Sequence, residues 1–269
     1  MKFRKALDNP LVVFSYIWRH TYQRLVADKD ADIYGKVRFL SETETLDELM
    51  NHSRSMIRAG DGTFGYLMGA SIYFNNWHFR YNRAFARILL SSLKEAEAEG
   101  ILLCFPHEQI TRKKEEYRLA NIPHEWSIWI SAKILARKLL REGSTYGNSM
   151  CFHPKHNKHI DFPRIKHFLS TRHVYIVTSG VERFTDIKLG LSTTFIEAPA
   201  NDAWRVYTQL EDSVLRVIRT NGHQKNEVLI MISAAEAAKV MILDLHRQGY
   251  VCWDTGQFFE LACKQIAAL

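Results

Sequence analysis

The stretch "EVLIMISAAEAAKVMILDLHRQGYVCWDTG", Glu227–Gly256, decides the architecture. Val228–Ile232 is an unbroken apolar run, too short for a helix and typical of a strand buried on both faces. After Ser233 the pattern changes to "AAEAAKVMILDLHRQG", a run of good helix formers that Gly249 stops. "YVCWD" then returns to strand character. Strand, helix and strand without a hairpin signal make a βαβ unit, whose two strands run parallel.

The alternation continues outward from this unit. "HVYIVTSG" and "TTFIEAPA" read as strands ending at Gly180 and Pro199. "AWRVYTQLEDSVLRVIRTNG" reads as a helix capped by Asn201 or Asp202 and ended by Gly222. Upstream, Ser41 with Glu44 is a capping-box signature that opens a helix. Arg54–Ile57 reads as a short strand running into glycines. "RYNRAFARILLSSLKEAEAEG" is an amphipathic helix stopped by Gly100, "ILLCF" a buried strand, and "HEWSIWISAKILARKLLREG" a helix stopped by Gly143. "QFFELACKQIAAL" is a final helix. The whole predicts an α/β domain, a mainly parallel sheet with helices on both faces.

In such sheets ligands bind beyond the carboxyl ends of the strands. Those ends carry Gly60-Asp61-Gly62, Thr178-Ser179-Gly180, Glu197, Ser233 and Asp254-Thr255-Gly256. Arg58 with Gly60-Asp61-Gly62-Thr63 has two readings. Glycines allow backbone N–H groups to approach a phosphate, Asp61 offers a hard oxygen to a cation, and Arg58 suits a phosphate. A plain Asp-Gly turn explains the same residues. Ser233 with Lys239 suits phosphate at a helix start, or an ordinary capped helix with Lys239 in solvent. Asp254 is either a general base or hydroxyl ligand, or a helix N-cap. His153, His156 and His159, spaced by threes, fit no zinc pattern and read as a solvated basic loop. Trp126, Trp129 and Trp204 suit sugar stacking or, more simply, core packing.

The bulk composition narrows the classes. The 269 residues are 46% hydrophobic and 24% charged, enough for a large core. A net charge of +7 favours anionic partners, yet the positive residues are scattered. A nucleic-acid binder would need a basic stripe with interleaved aromatics. No P-loop, G-x-G-x-x-G fingerprint or G-x-S-x-G elbow is present. Cys104, Cys151, Cys252 and Cys263 lie far apart and read as buried free thiols of a reducing, cytoplasmic compartment. Residues 1–40 form a basic segment in which Leu11, Phe14, Trp18, Tyr22 and Leu25 recur at helical spacing. Its apolar run is too short for a leader or a span. An interfacial helix on an anionic membrane and a helix packed on the protein's own core both fit. Residues 41–269 form the α/β domain.

Together these blocks resemble the GT-D-type glycosyltransferases, a family first catalogued as a domain of unknown function. "RAGDGTF", Arg58–Phe64, is similar to the pattern RxGDGEF. "IEAPANDAW", Ile196–Trp204, is similar to IxxPxxNAF, and "AEAAKVMILDLHRQGYVCWDTGQ", Ala235–Gln257, to GPTAKVLAYDL…GY…DIGH. Phe152-His153-Pro154 stands near a weaker SRPY block. The blocks keep family order from about Leu46 to Phe259.

The resemblance implies a Rossmann-like fold and a hexosyltransferase-like activity. It implies a nucleotide-sugar donor and a glycan or lipid-linked acceptor in surface-polysaccharide assembly, on or near the inner membrane face, with no nucleic acid. It also implies a divalent cation, manganese, at the family's Asp-x-Glu. Carried over, Asp61 matches the acid of that motif and is the metal ligand and a catalytic residue. The chemistry of sugar transfer also needs a base for the acceptor hydroxyl, and Asp254 is the catalytic candidate for it. From their places at the strand ends, Arg58, Gly60, Gly62, Thr63, Ser179, Ser233 and Lys239 are the donor-binding candidates. Thr63 stands where the family has Glu, Asp202 where it has Asn, Ala235-Glu236 where it has Gly-Pro, and Gln257 where it has His.

Overall fold

The computed structural model describes residues 21–27, 32–69, 81–153, 160–184 and 186–269. The strands are β1 (Arg38–Phe39), β2 (Met56–Arg58), β3 (Leu102–Phe105), β4 (Thr145–Asn148), β5 (His173–Thr178), β6 (Thr193–Glu197), β7 (Val228–Ile232) and β8 (Val251–Asp254). The helices are α1 (Tyr22–Ala27), α2 (Glu42–His52), α3 (Asp61–Leu67), α4 (Arg83–Ala96), α5 (His107–Thr111) and α6 (Lys114–Leu119). They continue with α7 (Pro123–Leu139), α8 (Phe162–Ser170), α9 (Tyr207–Asn221), α10 (Ala237–Arg247) and α11 (Phe258–Ala267).

The eight strands form one sheet in the order β1-β4-β3-β2-β8-β7-β5-β6. Every pairing among them is parallel. Period-two alternation divides each strand between two cores. On β7, Val228, Ile230 and Ile232 join one core with residues of α4, α7, α9 and α10. Leu229 and Met231 join the other with α2, α8 and α11. All five are buried, which is why "VLIMI" carries no polar face.

The capping box at α2 is formed, with the Ser41 hydroxyl accepting from Glu44 N–H at 3.2 Å and Glu44 Oε2 from Ser41 N–H at 2.8 Å. Three expectations differ locally. α10 begins at Ala237 rather than beside Ser233. α9 is preceded by a 3-10 turn, Ala203–Val206, and Asp202 stands before that turn without a capping bond. β1 belongs to the sheet, through pairing with β4, although it falls inside the segment 1–40. Residues 1–20, with Leu11, Phe14 and Trp18, lie outside the described residues, as do His156 and His159.

Strand order positions the site. β2 leads through α3 and α4 to the face of the first core, whereas β8 leads into α11 on the opposite face. Chains leaving adjacent parallel strands in opposite directions open a crevice at their carboxyl ends. Arg58 and Asp254 end these two strands.

Candidate functional site at the split between β2 and β8

Four charged residues converge above the split. Lys239, in the first turn of α10, is 6% exposed, and Asp254 is 3% exposed. Lys239 Nζ lies 3.1 Å from Asp254 Oδ2 and 3.8 Å from Glu236 Oε2, and donates to the Ala235 carbonyl at 3.1 Å. Burial opposes the ammonium charge, but Asp254 and Glu236 outweigh it and hold the Lys239 pKa above the ordinary value. Solvation is therefore not where Lys239 finds its partner. Asp254 Oδ2 also accepts the Arg58 N–H at 3.3 Å, which ties the end of β2 to that of β8.

The Arg58 side chain lies across the crevice floor. Its Nε donates to the Ser149 carbonyl at 2.7 Å and its Nη1 to the Thr255 carbonyl at 3.0 Å. The fork thus spans from the loop after β4 to the loop after β8. Gly256 makes room for it. A Cβ there would stand 2.9 Å from Arg58 Nη1, and the residue has φ +51, so glycine suits the position on both counts.

The Gly60-Asp61-Gly62-Thr63 turn opens α3. Gly60 is its N-cap, with φ −107 and ψ −173, an extended conformation open to any residue. Gly62 does not have positive φ either. Neither glycine therefore uses the left-handed freedom that its lack of a Cβ permits, and the close approach occurs at Gly62. A Cβ on Gly62 would touch Glu236 Oε1 at 3.4 Å. Asp61 is exposed at the crevice mouth. Thr63 is 2% exposed. Its Oγ1 accepts the Gly60 N–H at 3.4 Å, and its hydroxyl is a hydrogen-bond partner of the Glu236 carboxylate.

Ser233 and Ser179 stand apart from this group in different ways. The Ser233 hydroxyl donates to the Gly256 carbonyl and lies 3.4 Å from Thr255 Oγ1. It links β7 to the β8 loop and leaves α10 uncapped. Ser179 directly follows β5, and β7 lies between β5 and β8. Its carbonyl accepts from Arg183 Nη2 at 2.6 Å. The next two amides, Gly180 and Val181, both donate to the Glu197 carboxylate at 2.8 Å. An anion would have to displace Glu197 to use them.

Glu236 is the functional candidate that sequence reasoning passed over. It is 6% exposed, and its pKa is raised, by burial first and further by Asp254 and Asp61, against the pull of Lys239 and Thr63. The available signal was its spacing three residues before Lys239. Beside it, Tyr66 of α3 is fully buried, and burial pushes its phenol up to about 12. Tyr66 stacks edge-on with Phe85, which stacks on Trp204 at a centroid distance of 5.5 Å. Trp204 thus forms an aromatic wall near the crevice, while Trp126 is buried in a separate cluster around α6 and α7. Trp129 is partly buried against the first core. All four cysteines are free and buried.

Comparison with known proteins adds the family context. The family model described as "Glycosyltransferase GT-D fold" matches residues 56–260. A curated relative, glycosyltransferase GlyD of Streptococcus pneumoniae serotype 4 (strain ATCC BAA-334 / TIGR4), is 24% identical over 228 residues. The match covers 79% of this chain and 26% of that relative, so the chain spans about a quarter of its length. A solved structure described as the highly conserved domain of unknown function 1792, with a distinct glycosyltransferase fold, superposes with a TM-score of 0.66 at 21% identity. That match covers 85% of this chain and 81% of the other. A structure described as a new glycosyltransferase from Streptococcus sanguinis gives a TM-score of 0.62 at 19% identity, covering 84% and 83% of the two chains. At these identities the structural likeness establishes the fold.

Proposed function

The chain belongs to the GT-D-fold glycosyltransferases, and on that premise we propose that the β2–β8 crevice binds a nucleotide-diphosphate sugar and transfers its sugar. The acceptor is a glycan or lipid-linked hydroxyl, in surface-polysaccharide assembly. The observation that carries this reading is the convergence of Arg58, Lys239 and Asp254 beneath an exposed Asp61, where two strands diverge. In the transfer, the acceptor oxygen bonds to the anomeric carbon as the bond to the diphosphate oxygen breaks. The hydroxyl proton passes to a base, and nucleoside diphosphate leaves. Charge developing on that leaving group needs a cationic environment.

We place Asp61 at the donor diphosphate. Asp254 serves to hold Lys239 and the end of β2, because its Oδ2 is already shared by two donors. This departs from the sequence expectation that Asp254 takes a proton. The donor set also suits a hard divalent cation such as manganese. Asp61 offers an exposed oxygen, and a buried carboxylate oxygen of Glu236 lacks a hydrogen bond. Among the described residues no three His, Cys, Asp or Glu groups converge as ligands, so phosphate oxygens would complete the coordination. When bound, such a cation would neutralise charge on the departing diphosphate.

A panel of nucleotide sugars, scanned by thermal shift with and without manganese, tests the donor site. At least one is expected to raise the melting temperature, and the same compound should then be transferred or hydrolysed. No shift with any nucleotide sugar would overturn the donor assignment. A shift without turnover would support a silent nucleotide-sugar-binding relative, the reading that Thr63 motivates.

We also propose contact between the basic N-terminal segment and an anionic inner-membrane surface. No helix among the described residues is long and apolar enough to cross a membrane. Removal of residues 1–27 is expected to abolish sedimentation with anionic liposomes at low salt. Basic side chains act there within a Debye length of roughly 10 Å at 0.1 M salt. Equal liposome binding by the shortened chain would refute the contact.

A further inference from the structure

We infer that Glu236, delivered from the turn between β7 and α10, is the second carboxylate of a divalent-cation site whose first is Asp61. The inference rests on the donor site proposed above, and deepens it by assigning a residue that the motif pattern does not contain.

The turn that presents Glu236 is unusual. Ala235 has φ +49, a left-handed conformation in which a Cβ is disfavoured, and it directly precedes Glu236. Glu236 is the N-cap of α10, yet its side chain makes no capping bond. The carboxylate turns instead onto the Gly62-Thr63 turn of α3. There Oε1 lies 3.4 Å from the position of a Cβ on Gly62, and the Thr63 hydroxyl is a hydrogen-bond partner.

A buried carboxylate normally has both oxygens satisfied. Glu236 is more than nine-tenths buried, and its Oε2 has no hydrogen bond. Lys239 fills that gap only in part, as an ion pair beyond hydrogen-bond distance. Its Nζ is nearer to Asp254, at 3.1 Å against 3.8 Å, and also donates to the Ala235 carbonyl. Lys239 and Arg58 set two positive charges against the three carboxylates of Asp254, Glu236 and Asp61, and Glu236 Oε1 lies 3.4 Å from the position of a Cβ on Gly62, the residue next to Asp61. A cation there would give Oε2 the close partner that the 3.8 Å ion pair does not, and would offset the remaining negative charge.

Position 63 explains why the acid comes from elsewhere. Thr63 is small and buried, and the Glu236 carboxylate occupies the space beside it. The oxygen ligand absent from α3 therefore stands within hydrogen-bond reach of the same position, supplied from the opposite wall.

Manganese titrated into the full chain, followed by electron paramagnetic resonance with and without UDP, tests this. UDP binding in EDTA is measured separately by calorimetry. Glu236→Gln keeps the shape and a partner for Thr63 but removes the charge. It is expected to weaken manganese binding by roughly 10–100-fold, with UDP affinity in EDTA unchanged. Thr63→Glu combined with Glu236→Gln returns a carboxylate from α3, and recovery of manganese affinity in that chain supports the inference. Equal manganese affinity in Glu236→Gln and the parent overturns it, as does a parent that binds no manganese in either condition. If manganese binding depends on Glu236 but UDP never binds, the inference stands and the donor reading falls. UDP binding with Glu236-independent manganese gives the reverse.

Discussion

Lys239→Met is expected to lower the unfolding free energy by about 3–5 kcal/mol, because it leaves buried carboxylate charge without its cation. Methionine keeps most of the length and apolar stem of lysine, so the loss reports charge rather than a cavity. For a domain of this size the melting temperature should fall by on the order of 10 °C. Asp254 and Glu236 are both more than nine-tenths buried, and Asp254 is the nearer at 3.1 Å. Water cannot replace the ammonium there as it would on a surface, where an exposed pair contributes little. Asp254→Asn is also expected to destabilise, since it weakens the partner of both Lys239 and the Arg58 N–H. In a double-mutant cycle the two changes should couple by about 1 kcal/mol or more, as contacting residues do. Urea unfolding of the four chains measures this. Additive effects would mean that Lys239 and Asp254 contribute independently, and the crevice floor is then not held by their pairing.

The parts of this arrangement differed in how plainly the sequence displayed them. β7, α10 and β8 were legible because each repeats its period over a sustained run, and burial on both faces of the sheet leaves an unbroken apolar signature in "VLIMI". β1 and β4 were not. "RF" and "TYGN" have no periodicity to read, and they are strands only because β3 and β4 offer them an edge. The start of α10 was misplaced because a Ser before a helical run signals a cap. Here the Ser233 hydroxyl is drawn to the Gly256 carbonyl across the sheet, a tertiary contact that local pattern cannot contain. The same limit applies to the site. Arg58 and Asp254 were each visible at a strand end, but their adjacency depends on β2 lying beside β8, nearly 200 positions later in the chain. Glu236 stood out in sequence only as a departure from the family's Gly-Pro, because an acid at a helix start ordinarily complements the helix dipole. Only the left-handed turn at Ala235 and the small Thr63 opposite show that its carboxylate leaves the helix end for the crevice.

Asp61→Asn is expected to separate function from folding. Asp61 is exposed, at the first position of α3, with Gly60 as the cap before it. Substitutions at exposed positions without special contacts usually change stability by less than about 0.5 kcal/mol, so the melting temperature should hardly move. Transfer should fall by roughly 10²–10³-fold, the scale on which loss of one group that stabilises developing charge is felt. Asparagine keeps the size and one oxygen of aspartate, but it cannot supply the negative charge that a cation bridging a diphosphate requires. The defect should therefore appear in manganese-supported turnover, while UDP affinity measured in EDTA stays near that of the parent. The contrast with Lys239→Met is the point of the experiment. Both residues lie at one crevice, but the buried lysine is tied into the fold and the exposed aspartate is not. If Asp61→Asn instead lowers the melting temperature and leaves turnover per folded molecule unchanged, the Gly60-Asp61-Gly62 segment is a structural turn, and the donor diphosphate must be held elsewhere along the carboxyl ends of the sheet.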